Sequence, residues 1–220
     1  MRIIIFDMDD TLYPENQFVD SGFKAVDEFL KQQNVNGFYT NAIGLFYEGR
    51  RGAIFNEVLD DIGFVYDNEF IQNLIGIYRS HIPDIQLFPD SRYILDYLYE
   101  KYPLGLISDG YLIAQKNKVS ALGISRYFEK IILTDELGRE FWKPNITSYR
   151  MMENHFKTDG KNFIYIGDNI AKDFVTANKL GWTTIQIKRP NGEYDNVEAP
   201  LENHAKYKIE NLKEIINILK

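Results

Sequence analysis

Ile3-Ile4-Ile5-Phe6 is an uninterrupted apolar run that stops abruptly at Asp7-Met8-Asp9-Asp10-Thr11-Leu12-Tyr13-Pro14. No other stretch constrains the fold as tightly. A short run rich in β-branched residues reads as a strand covered on both faces, as in parallel sheets. Three carboxylates in four positions cannot enter a core without a cation or another partner. Open α/β sheets bind their ligands at the carboxyl ends of strands, which is where this one delivers its acids. The stretch reads as a Mg²⁺ site with a nucleophilic aspartate. Alone, it also suits a solvated acidic turn.

Composition narrows the alternatives. A length of 220 residues accommodates one domain, or one domain carrying an inserted lobe. A net charge of −7 argues against nucleic acid or an anionic membrane as partner. It does not argue against a phosphorylated small molecule, because a metal supplies local positive charge. The absence of cysteine removes disulfides, thiolate catalysis and zinc–thiolate sites, and fits a cytoplasmic protein. The N-terminal apolar run is too short for a signal peptide or a membrane span.

Between Pro14 and Pro83 helical periodicity replaces strand-like runs. Phe18, Phe23, Val26, Phe29 and Leu30 share one helical face, as do Ile54, Val58, Leu59 and Ile62, with Gly63 as a C-cap. Phe70, Ile71, Leu74, Ile75 and Tyr78 repeat the pattern. Residues 15–83 therefore read as an inserted unit of about four helices, joined by hinge loops to an α/β core of residues 1–14 and 84–220. In that core four further strands are expected, at Leu104–Ile107, Lys130–Leu133, Phe163–Ile166 and Thr183–Ile187. Helices alternate with them; Asp90 is expected to cap the first, and Asn211 a last one through Leu219. The rhythm implies an α/β fold, a mostly parallel sheet with helices on both faces.

Parallel pairing brings the strand ends Asp7, Ser108 and Asp168 to one edge, and scattered weak motifs become one constellation. Phosphoryl transfer needs a nucleophile, a proton donor for the leaving group and charge compensation around the phosphate. Asp7 suits the nucleophile, and Asp9 the general acid and then base. Asp7, Asp168 and the Asp9 carbonyl suit Mg²⁺, which takes oxygen ligands. Ser108 and the amides of Asp109 and Gly110, just before a helix, can donate to phosphate oxygens. Lys143 adds a point charge, and Asp173 is expected to hold a metal-bound water or to orient Lys143. Individually, each cluster is also an ordinary turn, a surface lysine or a helix cap.

Asp7-x-Asp9-x-Thr11, Ser108 after an apolar strand, Lys143-Pro144, and Gly167-Asp168 with Asp173 together resemble the four motifs of haloacid dehalogenase-superfamily hydrolases of the phosphatase kind. The likeness spans almost the whole chain. It implies a Rossmann-like doubly wound core, Mg²⁺ dependence, an aspartyl-phosphate intermediate, Thr11 among the phosphate-binding residues, and a small all-helical cap after the first motif. Within the superfamily it is similar to the branch acting on nucleotides and on sugar or glycolate phosphates. Asp109 departs from the pattern, standing where many members have asparagine, and its side chain is expected to point away from the phosphate. Dehalogenases and phosphonate hydrolases of the superfamily lack an acid at the position of Asp9. A phosphomutase shares the motifs and differs mainly in excluding water. A non-enzymatic phosphate-accepting switch lacks both the insertion and the second acid. In the insertion, Glu48-Gly49-Arg50-Arg51-Gly52 reads as a turn whose paired arginines are solvated, the alternative being that one of them, Arg50, meets a part of the substrate remote from the phosphate.

Overall fold

β1 (Ile3–Phe6) is buried at all four positions and occupies the middle of a six-stranded sheet. Its companions are β2 (Leu104–Ser108), β3 (Lys130–Leu133), β4 (Phe163–Gly167), β5 (Thr183–Ile187) and β6 (Tyr207–Ile209), in the order β3-β2-β1-β4-β5-β6. Every pairing is parallel. Ile4 lies opposite Leu104 on one side and Ile164 on the other. The chain thus builds outward from β1 in one direction and returns to build in the other, and the reversal beside β1 is where such sheets hold ligands. The computed structural model describes residues 1–190 and 197–220.

The chain divides into two compact units, Met1–Glu15 with Gln86–Lys220, and Asn16–Ile85. The second holds almost all of α1 (Glu15–Lys31), then α2 (Phe38–Tyr47), α3 (Ile54–Asp61) and α4 (Asn68–Ser80). Phe23, Val26, Leu30, Phe38, Val58, Leu59 and Leu74 form its buried core. Gly63 follows α3 at φ 69°, the left-handed turn that ends a helix. The stretch Glu48–Gly52 is a turn, as its two glycines imply.

The sheet of the first unit is flanked by α5 (Pro89–Tyr99), α6 (Leu112–Leu122), α7 (Thr147–Phe156), α8 (Phe174–Lys179) and α9 (Ile215–Leu219). One core cluster joins Ile3 and Ile5 to Tyr149, Met152, Phe163, Tyr165, Phe174 and Trp182. Trp182 stacks on Phe163 with ring centroids 4.3 Å apart. The cluster reaches the end of β4 through Tyr149, whose hydroxyl donates to the Asp173 carbonyl at 2.9 Å. Two expectations need correction. Asp90 does not cap α5: Pro89 takes the first helical position after Phe88, and Asp90 falls in the first turn. Its carboxylate accepts instead from Arg189 and from the Leu212 amide. The sheet also gains a sixth strand, β6, at its edge. Asn211 does cap, through a capping box with Glu214, but the helix begins as a 3₁₀ turn at Leu212.

Candidate active site

The β1 ladder continues one residue past the strand, the Asp7 amide donating to the Ile166 carbonyl at 2.8 Å. Asp7 is thereby held at the sheet edge beside the end of β4, and its carboxyl group is buried. The chain then turns sharply. Asp10 adopts φ 48°, a conformation that aspartate tolerates better than most residues, and its carboxylate accepts the Glu15 amide at 2.8 Å. Thr11 is fully buried with its hydroxyl 3.4 Å from Asp7 Oδ2 and 3.5 Å from Asp168 Oδ1. In this structure it serves the two carboxylates.

Lys143 is the hub. Its ammonium donates to Asp7 Oδ1 at 2.5 Å and to the Tyr165 hydroxyl at 3.0 Å, and lies 2.8 Å from Asp173 Oδ1. The other Asp173 oxygen accepts the Asn169 amide at 3.0 Å. A Cβ at Gly167, the end of β4, would press on that carboxylate and force it to shift. Asp168, one residue on, is buried, with its carbonyl taken by Gln186 Nε2 at 3.0 Å.

Asp7, Asp168 and Asp173 are all buried, and one carboxylate oxygen from each lies within 4.8 Å of the others. Such crowding has an electrostatic signature. Burial, reinforced by Asp173 and Asp9 against the opposing lysines, pushes Asp7 up to about 7. Burial, then Asp173 and Asp7, pushes Asp168 well above the usual carboxylate range. The Lys143 ammonium, whose pKa burial alone would lower, is held well up by Asp173 and Asp7. A buried set of hard oxygen donors, under-neutralised by one ammonium, fits a small divalent cation.

Ser108 ends β2 with its hydroxyl buried and without a hydrogen-bond partner. A buried orphan hydroxyl is costly unless something else completes it, and a phosphate oxygen suits. Asp109 turns its carboxylate to the Thr134 hydroxyl at 2.7 Å, the Lys143 amide at 3.1 Å and Lys172 Nζ at 2.9 Å. Burial raises its pKa, but Lys143 and Lys172 outweigh that and hold it low. Gly110 stands at φ 132°, and a Cβ there would strike the Gln115 side chain.

Asp9 is 18% exposed and lies outside the three-carboxylate group. Its Oδ1 accepts from the Tyr13 hydroxyl at 2.5 Å and from Lys118 Nζ at 2.7 Å, and its Oδ2 from Gln115 Nε2 at 2.8 Å. Desolvation raises its pKa, yet Lys118 and the three hydrogen bonds bring it below the ordinary value. Gln115, Lys118, Tyr13, Lys172 and Tyr165 were not foreseen as site residues. Gln115 and Lys118, one turn apart on the helix that follows Gly110, read from sequence as ordinary solvent-facing positions. Arg50 belongs to the helical unit, where its Nε and Nη2 donate to Glu57 Oε2 at 3.1 and 2.7 Å.

The glyceraldehyde 3-phosphate phosphatase of Methanocaldococcus jannaschii is 26% identical over 227 residues, covering 99% of this chain and 96% of its own. YfnB of Bacillus subtilis, solved bound to magnesium, superposes with a TM-score of 0.73 at 19% identity, covering 100% of this chain and 98% of its own. A 2-haloacid dehalogenase of Pseudomonas syringae pv. Tomato gives a TM-score of 0.67 at 21% identity, covering 100% and 98%. These two structures share the fold; their identity is too low to carry more. The profile of the haloacid dehalogenase-like hydrolases matches residues 4–187, from β1 to the last residue of β5. With most of its length inside that match, the chain belongs to the haloacid dehalogenase-like hydrolase family.

Proposed function

We propose that this chain is a phosphoric monoester hydrolase that cleaves a small phosphorylated metabolite through an aspartyl-phosphate on Asp7, with Mg²⁺ as cofactor. The observation that carries the reading is the separation of two acids two residues apart. Asp7 sits against Lys143 among buried carboxylates, while Asp9 is turned to Tyr13, Gln115 and Lys118. Asp7 lies where a bound cation would hold it ionised for attack, and Asp9 stands outside the carboxylate group, able to carry a proton between substrate and water.

In this reading an Asp7 oxygen attacks phosphorus, and Asp9, which takes up a proton when the anionic phosphate binds beside it, gives that proton to the leaving alkoxide. Asp9, now a carboxylate, accepts a proton from the water that attacks the phosphoenzyme, and phosphate departs with Asp7 restored. Ser108 and the amides of Asp109 and Gly110 donate to phosphoryl oxygens. Lys143 holds Asp7 in place and balances its charge. Asp7, Asp168 and the Asp9 carbonyl would hold the metal, with Asp173 keeping Lys143 and the Asn169 amide in place. When bound, the cation supplies positive charge where negative charge develops on the phosphoryl group. The α/β unit is assigned the catalytic core and the helical unit the cap, with Arg50 a candidate for substrate selectivity. No described helix is long and apolar enough to cross a membrane, and we assign the protein to the cytoplasm.

The test is phosphate release from a panel of phosphorylated metabolites. Glyceraldehyde 3-phosphate heads it because the M. jannaschii relative bears that substrate in its name. Isomerised sugar phosphate in place of free phosphate would reassign the site to a mutase. A single equivalent of alcohol released, with the phosphoryl group retained on the protein and no turnover, would reassign it to a switch.

A further inference from the structure

Asp9 is gripped by three donors from two segments. Tyr13 comes from the turn that follows β1, and Gln115 and Lys118 lie on α6. Both carboxylate oxygens are engaged, Oδ1 by Tyr13 and Lys118 and Oδ2 by Gln115. Turning the carboxylate in either direction therefore breaks charge-assisted hydrogen bonds on both sides. The donors are themselves buried. Tyr13 is fully buried, Gln115 is 1% exposed and Lys118 4%. The Gln115 amide can face only one way, because Nε2 also donates to the Asp109 carbonyl and both of its partners are acceptors. Gly110 belongs to the same device, since any side chain there would displace Gln115. Lys118 Nζ also lies 3.7 Å from a Glu15 oxygen, which draws its ammonium from a second side.

We propose that Lys118, with Gln115 and Tyr13, is the positioning set that aims Asp9 at the leaving-group oxygen and then at the attacking water. The inference rests on the phosphatase reading and adds to it the residues through which Asp9 acts. A general acid contributes only when its proton lies within hydrogen-bond reach of the departing oxygen. A carboxylate free to rotate spends little time there, and a clamp on both oxygens removes that freedom.

The claim separates from a merely structural role through the leaving group. An aliphatic alkoxide needs its proton from Asp9 in order to depart, whereas p-nitrophenolate departs unprotonated. Lys118→Met keeps the length and apolar stem of the side chain and removes the ammonium. Its kcat on glycerol phosphate should fall roughly a hundredfold, with phosphorylation by p-nitrophenyl phosphate within about threefold of wild type. Because Asp9 also serves the second step, the variant should release a burst of one nitrophenolate per enzyme before slow turnover. Tyr13→Phe should move the same ratio in the same direction by less, and carries the comparison should Lys118→Met not fold. Equal losses in the single-turnover phosphorylation rate on both substrates, in a variant with wild-type melting temperature, would overturn the inference, as would no loss on either. A wild-type enzyme that releases phosphate from neither ester overturns the phosphatase reading itself, a result distinct from parallel losses in an active one.

Discussion

Lys143 Nζ stands 2.5 Å from Asp7 Oδ1, although 136 positions separate the two residues. The contact pins one oxygen of the acid, while the other faces the Thr11 hydroxyl at 3.4 Å. The two oxygens of Asp7 are therefore inequivalent before any substrate arrives. Asp7→Asn should abolish turnover and any phosphoenzyme. Asp9→Asn keeps the nucleophile and loses proton transfer, and should slow turnover roughly a hundredfold or more. Acid-quench trapping of radiolabelled phosphate on the protein checks both. Near wild-type activity in Asp7→Asn would rule out the covalent route.

Removal of the metal should silence the enzyme. Activity should vanish in EDTA and return with Mg²⁺, and Asp168→Ala should need on the order of tenfold or more Mg²⁺ for half-maximal rescue. Ca²⁺ should inhibit, because its longer and looser coordination misplaces the carboxylates. Undiminished activity in chelator would point to attack on carbon, the metal-free chemistry of dehalogenases.

Stability should respond to pH with a definite sign. Burial, aided by Asp173 and Asp9 and opposed by the lysines, raises Asp7 from 3.8 to about 7 in the fold. A carboxyl group raised by folding contributes its stabilisation fully below its unfolded value and loses it as pH climbs through the folded one. Metal-free protein should therefore melt at falling temperatures between about pH 4 and pH 7. A cation competes with the proton for the same oxygens, so the rise in Tm on adding Mg²⁺ should grow across that window. Thermal melts in EDTA and in Mg²⁺ at several pH values measure it, and a Mg²⁺ increment independent of pH would contradict it.

Gly167→Ala places a methyl group against the Asp173 carboxylate. Asp173 must shift, and Lys143 with it. A displacement near 1 Å at a reacting group costs on the order of a hundredfold in rate. The variant should lose that much in kcat while remaining folded by circular dichroism; wild-type kcat would show that the Asp173–Lys143 pair tolerates movement.

Arg50 and Glu57 offer a paired test of selectivity. Arg50 is bound twice to Glu57 and must release it to reach a substrate. Arg50→Ala should lower kcat/KM for the preferred metabolite severalfold and leave p-nitrophenyl phosphate nearly unchanged, whereas Glu57→Ala should raise kcat/KM for that metabolite. If both variants match wild type on both substrates, the pair is a surface ion pair alone.

The sheet was legible because strands buried on both faces cannot disguise themselves. Ile3–Phe6 and Phe163–Gly167 are apolar without interruption up to the final glycine, and both are buried throughout. β6 escaped because only three residues pair and two of them, Tyr207 and Lys208, are exposed. Asp90 misled because an acid at a helix start suits both the cap and the first turn, and only Pro89 before it decides between them. The strand-end motif residues could be named from the sequence. Gln115 and Lys118 could not, because polar residues on a helix ordinarily face water. That these two are buried follows from where α6 runs, and tertiary placement leaves no local trace when the buried face is itself polar.

The position of β1 has a consequence for how the molecule assembles. Ile4 pairs with residues 104 and 164, so the central strand closes loops of about a hundred and of a hundred and sixty residues. Closures of that span are slow, whereas the helices of residues 16–85 are built from near neighbours. On dilution from denaturant, helical signal should return before the acids meet. Regained activity would then mark the last step of refolding, and a nascent chain that already carries Lys143 would still lack both downstream aspartates until β4 and the turn after it have been synthesised.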